Sequence, residues 1–536
     1  MTTPTDSPTT LARTTLTMTA ITAVSRVTGL VRVLVVAAVL GATFLGNTYQ
    51  SANAVPNLVF ELFVAGALQA ALIPSLVGVF DRDETEAEHV ARSVLGLTLV
   101  VVGLLALAGA VVAPWVMRGL VAGVDDPAIR DDQIELGTIF LWIFLPQILF
   151  YAMGLVATAV LNARDRFVLP VAAPIVNNVV VVAAYLIFDS MRGDAGPSLD
   201  LSAVEIAVLA GGTTLAVLTF TLVPVVAAVR SGVSLWPRFD RTHPAVRRIA
   251  RDGAWAAAWL AGTQVLLGVV LVLANGVEGG VVVWQVALTF FLLPHALFAL
   301  PVITALFPRM ARDASGSPAE AGPAVRQGIR AIGLLTLPAA AVLAVLGGAA
   351  AQLVLVGEGE AAAGDVGRAA AAFAAGLPAY GLFLFLTRAF YAAGDARTPA
   401  IVSWALAGGG ALALVLAATL AGDGDRITAL AAAYSVSYVI AAVTLAVMLR
   451  ARVLGAQGLA GVAGALTRYG AMAVAAGGVM AAIRHVVPDP SGRLELAVGE
   501  LIAPALAGVA VLALFDSLMG GDGRRALHTA LGRPGG

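Results

Sequence analysis

Two arginines lie close together in a segment that is otherwise apolar enough to cross a membrane. Arg26 and Arg32 belong to the run Ser25-Arg26-Val27-Thr28-Gly29-Leu30-Val31-Arg32. In an α-helix the arginines would be separated by about 9 Å along the axis. At 100° per residue, an arc of about 120° holds, in order, Arg32, Ser25, Gly29 and Arg26. One face of this helix is therefore predicted to be small, polar and cationic.

A cationic face at membrane depth has a functional interpretation and a structural one. Lipid does not solvate a guanidinium, so such a face is expected to line a protein cavity, where small neighbours let an anionic ligand approach the backbone. The alternative is that both arginines pair with buried acids or extend to the membrane interface. The residues alone leave both interpretations open.

The composition predicts an all-α polytopic membrane protein. Hydrophobic residues make up 59% of the 536 residues and charged residues 12%, whereas soluble proteins carry about 25% charged residues. The apolar runs are continuous and not alternating, which argues against a β-barrel. Cysteine is absent, which excludes disulfide and thiolate chemistry, and the net charge of −1 gives no indication of nucleic-acid binding. Residues 1–13 are polar and are predicted to form a disordered cytoplasmic leader.

Long apolar runs bounded by charged or turn residues predict fourteen transmembrane helices. They lie near residues 14–41, 53–80, 93–117, 136–160, 167–189, 203–229, 252–275, 281–308, 331–356, 366–392, 398–421, 427–449, 460–483 and 497–520. The arginines set the orientation, because cytoplasmic loops are enriched in positive charge. With the N-terminus in the cytoplasm, 22 of the 32 arginines fall in cytoplasmic segments and 7 on the opposite side. Both termini are therefore predicted to be cytoplasmic.

The chain is predicted to contain two similar halves. Residues 14–229 and 252–449 would each hold six spans, joined by a cytoplasmic linker, 230–251, and followed by a helix pair in 450–520 and a cytoplasmic tail, 521–536. Two landmarks indicate an internal repeat, since Pro74 and Pro308 are 234 residues apart and Pro170 and Pro399 are 229 apart. A parallel repeat of this kind would bind its substrate between the halves, near the membrane midplane.

Motifs of enzyme chemistry were not found. The five histidines are scattered, with no cysteine or carboxylate at metal-ligand spacing, and neither a phosphate-binding loop nor a nucleophile elbow occurs. The sequence therefore predicts a transporter, with no cofactor and no metal site, and not an enzyme.

Several motifs together resemble a known family. The run 25–32 is followed by Leu40-Gly41, Pro56-Asn57-Leu58, Gly66-Ala67 and Ile73-Pro74. Further on come Leu161-Asn162 with Arg166-Phe167 and Pro170, Ala173-Pro174 with Asn177-Asn178, Pro294 with Pro308, and Phe390-Tyr391-Ala392 with Asp395, Thr398 and Pro399. In order and spacing these are similar to the MurJ/MviN lipid II flippases of the multidrug/oligosaccharidyl-lipid/polysaccharide exporter superfamily.

The resemblance implies a substrate and a location. Such proteins move lipid II, an undecaprenyl-pyrophosphate-linked glycopeptide of peptidoglycan synthesis, from the inner to the outer leaflet of the bacterial cytoplasmic membrane by alternating access. Arg26 and Arg32 match the family's first-helix arginines and would bind the pyrophosphate, because guanidinium groups contact phosphate oxygens bidentately. A groove leading to spans thirteen and fourteen would hold the lipid tail. Membrane lipid and cell-wall synthesis or division proteins are the other implied partners.

Three positions depart from the family pattern. Asn47 stands where an acid is usual, Phe60-Glu61 where a basic pair is frequent, and Thr289 where an arginine often opens span eight. Arg388, in span ten, either replaces a missing cationic group or lies at the cytoplasmic end of that span. Glu61 either forms a salt bridge or acts as a protonatable coupling acid in the cavity. The residues predicted to line the cavity or to take part in coupling are therefore Ser25, Gly29, Asn47, Glu61 and Thr289.

The turns after spans four and ten carry a further polar set. Asn162 and Arg166 in the first turn and Asp395 in the second are predicted to cap helices and fix the loops, with a gating role as the alternative. Asn177 and Asn178 are predicted to join helices by hydrogen bonds.

Two other functions remain open. The departures from the charge pattern favour a same-fold exporter of another polyprenyl-linked glycan or an amphipathic drug. A non-transporting membrane scaffold is the second, although a scaffold has no need for Arg26 and Arg32 within the bilayer.

Overall fold

The fold is all-helical throughout the part of the chain that is described. A computed structural model of the protein describes residues 8–62, 76, 83–240, 242–244, 247, 254–455, 457–486 and 496–518, and within these ranges no strand occurs. The chain divides into two compact units, residues 1–264 and 265–536. The division falls inside the helix Ala254–Asn275, beyond the end of the predicted linker.

The described residues of the first unit form seven main helices. They are α1 (Pro8–Leu40), α2 (Phe44–Phe60), α3 (Glu84–Leu120), α4 (Pro127–Phe144), α5 (Gln147–Ala163), α6 (Val168–Arg192) and α7 (Gly212–Arg230). Because α1 begins at Pro8, residues 8–13 of the predicted leader are helical, and proline suits a first helical turn. The start of α3 is capped by Asp83, whose side chain accepts the backbone N–H groups of Thr85 and Glu86. Helix α1 packs on α6, which in turn packs on α7.

The second unit follows the helix that crosses the division, α8 (Ala254–Asn275). Its helices are α9 (Gly280–Pro294), α10 (Leu300–Asp313), α11 (Gly322–Val354), α12 (Ala363–Ala374), α13 (Leu377–Ala392), α14 (Arg397–Leu420), α15 (Arg426–Leu449), α16 (Val462–Val486) and α17 (Ala503–Leu518). A π-helical turn, His295–Ala299, joins α9 to α10 directly after Pro294. Helix α11 is central, since α12, α13 and α16 all pack against it.

Membrane-spanning helices are abundant in the described residues, where eleven are long and apolar enough to cross a bilayer. A twelfth span results if the bent pair Gly357–Ala374 and Leu377–Ala392, which meet at 49°, crosses as one. Of the predicted fourteen, the second, 53–80, lies largely outside the described residues, and the last corresponds to the shorter apolar helix Gly499–Leu514. The prediction of a polytopic all-α protein is confirmed, while the count of fourteen stays a prediction.

Helix α3 shows which side of a spanning helix meets lipid. Its buried side includes Val94, Val102 and Met117, whereas large apolar side chains on the other side are exposed. These are Val100, Leu104, Leu107, Val111 and Trp115. An exposed apolar stripe of this length is expected of a helix that faces hydrocarbon.

Candidate functional site

The cationic face lies on one continuous helix, as the sequence predicted. Within α1, Arg26 is exposed, and Ser25, Gly29 and Arg32 are half-buried. Neither arginine forms an ion pair with any carboxylate of the described residues. Pairing with buried acids, the structural interpretation of the two arginines, therefore finds no support in this part of the chain.

Helix α6 holds the cationic helix in place. The side-chain amide of Asn178 donates a hydrogen bond to Thr28 Oγ1 at 3.0 Å, so this asparagine joins two helices as predicted. A Cβ atom added to Gly29 would lie 3.7 Å from Asn178 Nδ2, which is an ordinary contact. Packing against α6 therefore does not require a glycine at position 29, and the missing side chain leaves room beside the arginines.

Arg32 lies within Coulombic range of three tyrosines that sequence reasoning did not single out, Tyr49, Tyr151 and Tyr185. The Tyr49 hydroxyl is 2.6 Å from the Tyr185 hydroxyl and 2.6 Å from Thr213 Oγ1, and all three side chains are buried. This cluster joins α2, α6 and α7 behind the arginine. The signal that could have found it is the occurrence of hydroxyl-bearing aromatic residues inside otherwise apolar spans.

Tyr151 continues this polar region toward the C-terminal end of α2. Its hydroxyl lies 3.4 Å from Gln147 Oε1, and its ring packs on Phe60 at a centroid distance of 5.6 Å. Gln147 in turn donates to Thr214 Oγ1 at 2.9 Å. Phenolic hydroxyls and amide groups are thus clustered in the part of the first unit that contains Arg32.

Two predicted cavity residues of α2 differ in exposure. Asn47 is fully buried, so its side chain lies within the helix packing of the first unit. Glu61 follows the last residue of α2 and is half-buried. It forms no ion pair with Arg26 or with Arg32, so a salt bridge between Glu61 and this face is not found in the described residues.

The second unit holds the remaining two cavity candidates. Arg388 is exposed, four residues before the end of α13, and its guanidinium lies 5.9 Å from the Phe307 ring centroid and 5.8 Å from that of Tyr391. Contacts of this kind with two rings stabilise the cation through the ring quadrupoles. Thr289 is half-buried, and its hydroxyl donates to the Gln285 carbonyl within its own helix at 2.8 Å.

The turn after α5 places Asn162 and Arg166 in a tight helix ending. The Arg166 N–H donates to the Leu161 carbonyl at 2.9 Å, and the Asp165 N–H donates to the Asn162 carbonyl at 3.2 Å. Asp165 adopts a positive φ of 58°. These two bonds with a left-handed residue form a Schellman motif. The side chain of Arg166 is exposed.

The turn after α13 repeats this geometry 229 residues later. The Asp395 N–H donates to the Phe390 carbonyl at 2.9 Å, the Gly394 N–H donates to the Tyr391 carbonyl at 3.0 Å, and Gly394 has a φ of 79°. The Asp395 carboxylate also accepts the Thr398 N–H at 2.9 Å and the Thr398 hydroxyl at 2.6 Å. Asp395 therefore caps the first turn of α14, as predicted. The 229 residues that separate the two turns equal the separation of Pro170 and Pro399. The gating role stays a prediction.

Among the described residues, no group of three or more histidine, aspartate or glutamate side chains could hold a metal ion. The predicted landmark at Pro74 lies outside these residues, as do the predicted tail and part of the linker. A bundle of apolar spanning helices, one of which carries two arginines on a small polar face, defines the protein as a polytopic membrane transporter.

Comparison with known proteins gives the family. The model of the family described as lipid II flippase MurJ matches residues 36–493, so the chain belongs to this family. The match begins after Arg32 and is therefore independent of the cationic face.

Relatives agree with this assignment, and solved structures share the fold. A probable lipid II flippase MurJ of Rhizobium tropici is 29% identical over 409 residues, which are 75% of this chain and 74% of the relative. The lipid II flippase MurJ of Burkholderia cenocepacia is 29% identical over 401 residues, 73% and 75% of the two chains. A solved lipid II flippase MurJ in an inward closed conformation superposes with a TM-score of 0.74 at 16% identity, covering 94% of this chain and 99% of the other. An inward-facing multidrug resistance MATE transporter shares the fold with a TM-score of 0.58 at 15% identity over 81% of this chain and 94% of the other.

Proposed function

We propose that this protein moves lipid II from the inner to the outer leaflet of the bacterial cytoplasmic membrane. The family match supports the substrate, and the eleven described apolar spans support a multi-pass membrane location. The observation that carries the proposal is the α1 face, on which Arg26 and Arg32 have no carboxylate partner among the described residues. Two guanidinium groups without a counter-charge in the part of the chain that the structure describes suit a ligand that brings its own negative charges.

The pyrophosphate of lipid II fits this face chemically. Guanidinium groups stay ionised at any physiological pH and donate paired hydrogen bonds to phosphate oxygens. Because Arg26 is exposed while Arg32 is half-buried, we infer that Arg26 meets the pyrophosphate first and Arg32 holds it deeper in the first unit.

Transport would proceed by alternating access, with the α1 face open first to the cytoplasm and then to the outside. Both termini would be cytoplasmic, and cell-wall synthesis or division proteins would meet the cytoplasmic loops. An inside-negative potential favours outward movement of an anion by about 2.3 kcal/mol per charge per 100 mV across the full field. Two negative charges would therefore provide a driving force without ATP.

The test is lipid II exposure in cells. A bacterium depleted of its own flippase is made to express this chain, and externally accessible lipid II is measured. The native chain should restore exposure, and Arg26→Ala with Arg32→Ala should abolish it. Arg32→Lys should restore it in part, because an ammonium is a point charge without the planar fork. Arg118→Ala, at an exposed arginine in the last turn of α3, is the matched control and should behave as the native chain.

Two outcomes would contradict the proposal. Full exposure with the double variant would remove the cationic face from the mechanism. No restoration by a native chain that inserts normally would indicate a different substrate, such as another polyprenyl-linked glycan or an amphipathic drug.

A further inference from the structure

The first part of the linker between the halves is bound along the cytoplasmic start of α3. Residues 233–240 have no regular secondary structure. The Arg238 N–H donates to the Arg92 carbonyl at 3.0 Å, and Arg92 Nε donates to the Trp236 carbonyl at 3.0 Å. At the end of this segment the His89 ring and the Asp240 carboxylate are 3.1 Å apart and form a third contact with α3. The linker is therefore fixed to the first unit over these residues.

The linker segment touches α3 at a glycine that lies inside the predicted third span, 93–117. A Cβ atom on Gly96 would lie 2.6 Å from the Arg238 carbonyl carbon and 2.9 Å from the Arg238 nitrogen. Real side chains do not tolerate these distances to backbone atoms, so only glycine allows the segment to lie this close. The segment thus reaches the level at which the apolar part of α3 begins.

The side of α3 that carries Gly96 is the side that faces lipid further along the helix. At 100° per residue, Val100 lies about 40° from Gly96 around the axis, and Leu107 about 20°. Both are solvent-accessible in the isolated chain, Val100 at 47% and Leu107 at 65%. The linker segment therefore covers the cytoplasmic end of the exposed apolar stripe, where the membrane interface is expected.

The chemistry of the segment matches that interface. Two aromatic side chains of the segment are exposed, Trp236 at 77% and Phe239 at 60%. The backbone of the same segment is bound to α3. Tryptophan is enriched at the level of lipid headgroups, where its ring is partly apolar and partly hydrogen-bonding. Residues 230–251 contain six arginines and one acid, Asp240. Basic segments of this kind beside a spanning helix attract anionic lipids.

We propose that residues 235–239 are an interfacial anchor, in which Trp236 and Phe239 insert among the headgroups of the cytoplasmic leaflet while the exposed arginines Arg230 and Arg238 bind anionic phospholipid. A lipid surface is favoured over a cytosolic protein because the segment continues the lipid-facing stripe of α3 and carries excess positive charge. The anchor fixes the start of the linker to both the first unit and the membrane.

The test uses quenching of Trp236 fluorescence by lipids brominated near the headgroup. The purified protein and its Trp236→Phe variant are placed in lipid nanodiscs, and the difference in their emission reports Trp236 alone. The same difference for Trp115→Phe is the positive control, since Trp115 belongs to the exposed stripe of α3. The difference for Trp284→Phe is the negative control, because Trp284 is buried.

The anchor predicts that brominated lipid quenches Trp236 at least as strongly as Trp115. It also predicts that brominated phosphatidylglycerol quenches Trp236 about twice as strongly as brominated phosphatidylcholine at the same mole fraction. Replacing Arg230 and Arg238 by alanine should remove this preference and leave lipid quenching itself in place.

Two results would overturn the proposal. Quenching of Trp236 by aqueous iodide but not by brominated lipid would place the segment in the cytosol, available to a protein partner. Equal quenching by the two brominated lipids would refute the binding of anionic headgroups.

Discussion

Replacing Gly96 by alanine should release the linker segment from α3. The new Cβ would lie 2.6 Å from the Arg238 carbonyl carbon, whereas ordinary contacts begin at 3.4 Å. The Arg238 carbonyl oxygen would lie closer still, so the segment must retreat by more than about 0.8 Å. A retreat of this size away from α3 would lengthen the Arg238 N to Arg92 O distance from 3.0 Å to beyond about 3.8 Å, which is too long for a hydrogen bond.

The free energy at stake follows from the two hydrogen bonds that hold the segment. A neutral backbone bond contributes about 1 kcal/mol, and the bond from the Arg92 guanidinium to the Trp236 carbonyl about 1.5–3 kcal/mol. The gain in helix propensity from alanine applies equally to the bound and released segment, so it does not offset the loss. Together the two bonds amount to at least about 2.5 kcal/mol, and their loss would raise the released population at least about 70-fold.

Trypsin cleavage after Arg238 measures this population, because cleavage of a rapidly opening segment follows the fraction that is open. The Gly96→Ala protein should be cut at least about 70 times faster than the native protein. Gly103→Ala is the matched control on the same helix, since its Cβ would lie 3.9 Å from Leu149 Cδ2 in an ordinary contact. Equal cleavage rates for the native and Gly96→Ala proteins would refute the close backbone contact. An equal acceleration of cleavage by Gly103→Ala would show that the effect does not arise from the contact at Gly96.

Two further predictions concern one titratable group and one helix crossing. Hydrogen bonds from Thr242 and His89 lower the pKa of Asp240, so the carboxylate stabilises the bound segment at neutral pH and loses this effect as it is protonated. Lipid quenching of Trp236 should therefore fall as the pH drops below about 4, the ordinary pKa of an aspartate. Asp240→Asn should weaken the quenching at neutral pH and remove this acid dependence. A fall that persists in the variant would contradict the assignment. Gly367→Ala should destabilise the second unit by about 1–3 kcal/mol, because its Cβ would lie 2.6 Å from Gly348 Cα where α11 and α12 cross. Gly348→Ala, whose Cβ would have its nearest contact at 4.0 Å, should leave stability unchanged when both variants are compared by denaturation. Equal losses of stability in the two variants would refute this difference between the two glycines.

The features that could be predicted are those encoded locally. Apolar runs at 167–189 and 203–229 correspond to Val168–Arg192 and to the helical stretch that ends at Arg230. A spanning helix needs a continuous apolar segment whatever its neighbours are, so the sequence alone defines it. The 229-residue offset could also be read from the sequence. Proline and the residues of a helix-ending turn are required by the local backbone geometry, so they recur at matching positions of the two halves.

The features that could not be predicted depend on contacts between distant segments. The sequence predicted residues 230–251 only as a cytoplasmic linker between the halves, because nothing near Trp236 indicates that this segment lies against Gly96. The cluster of Tyr49, Tyr185 and Thr213 joins residues up to 164 positions apart. Which polar residues of different apolar helices meet is set by helix packing, which hydrophobic periodicity does not determine.

The structure of the first unit gives a physical reason for two departures from the family's charge pattern, at positions 47 and 60. Asn47 is fully buried, and a neutral amide is less costly there than the ionised acid that the family resemblance implies. Phe60 is buried and packs on the Tyr151 ring at 5.6 Å, so an aromatic contact occupies the place expected of a cation. Restoring arginine at position 60 would break this packing before it supplied a charge. Under the proposed function, the cationic requirement of a pyrophosphate ligand in the first unit would therefore fall on Arg26 and Arg32.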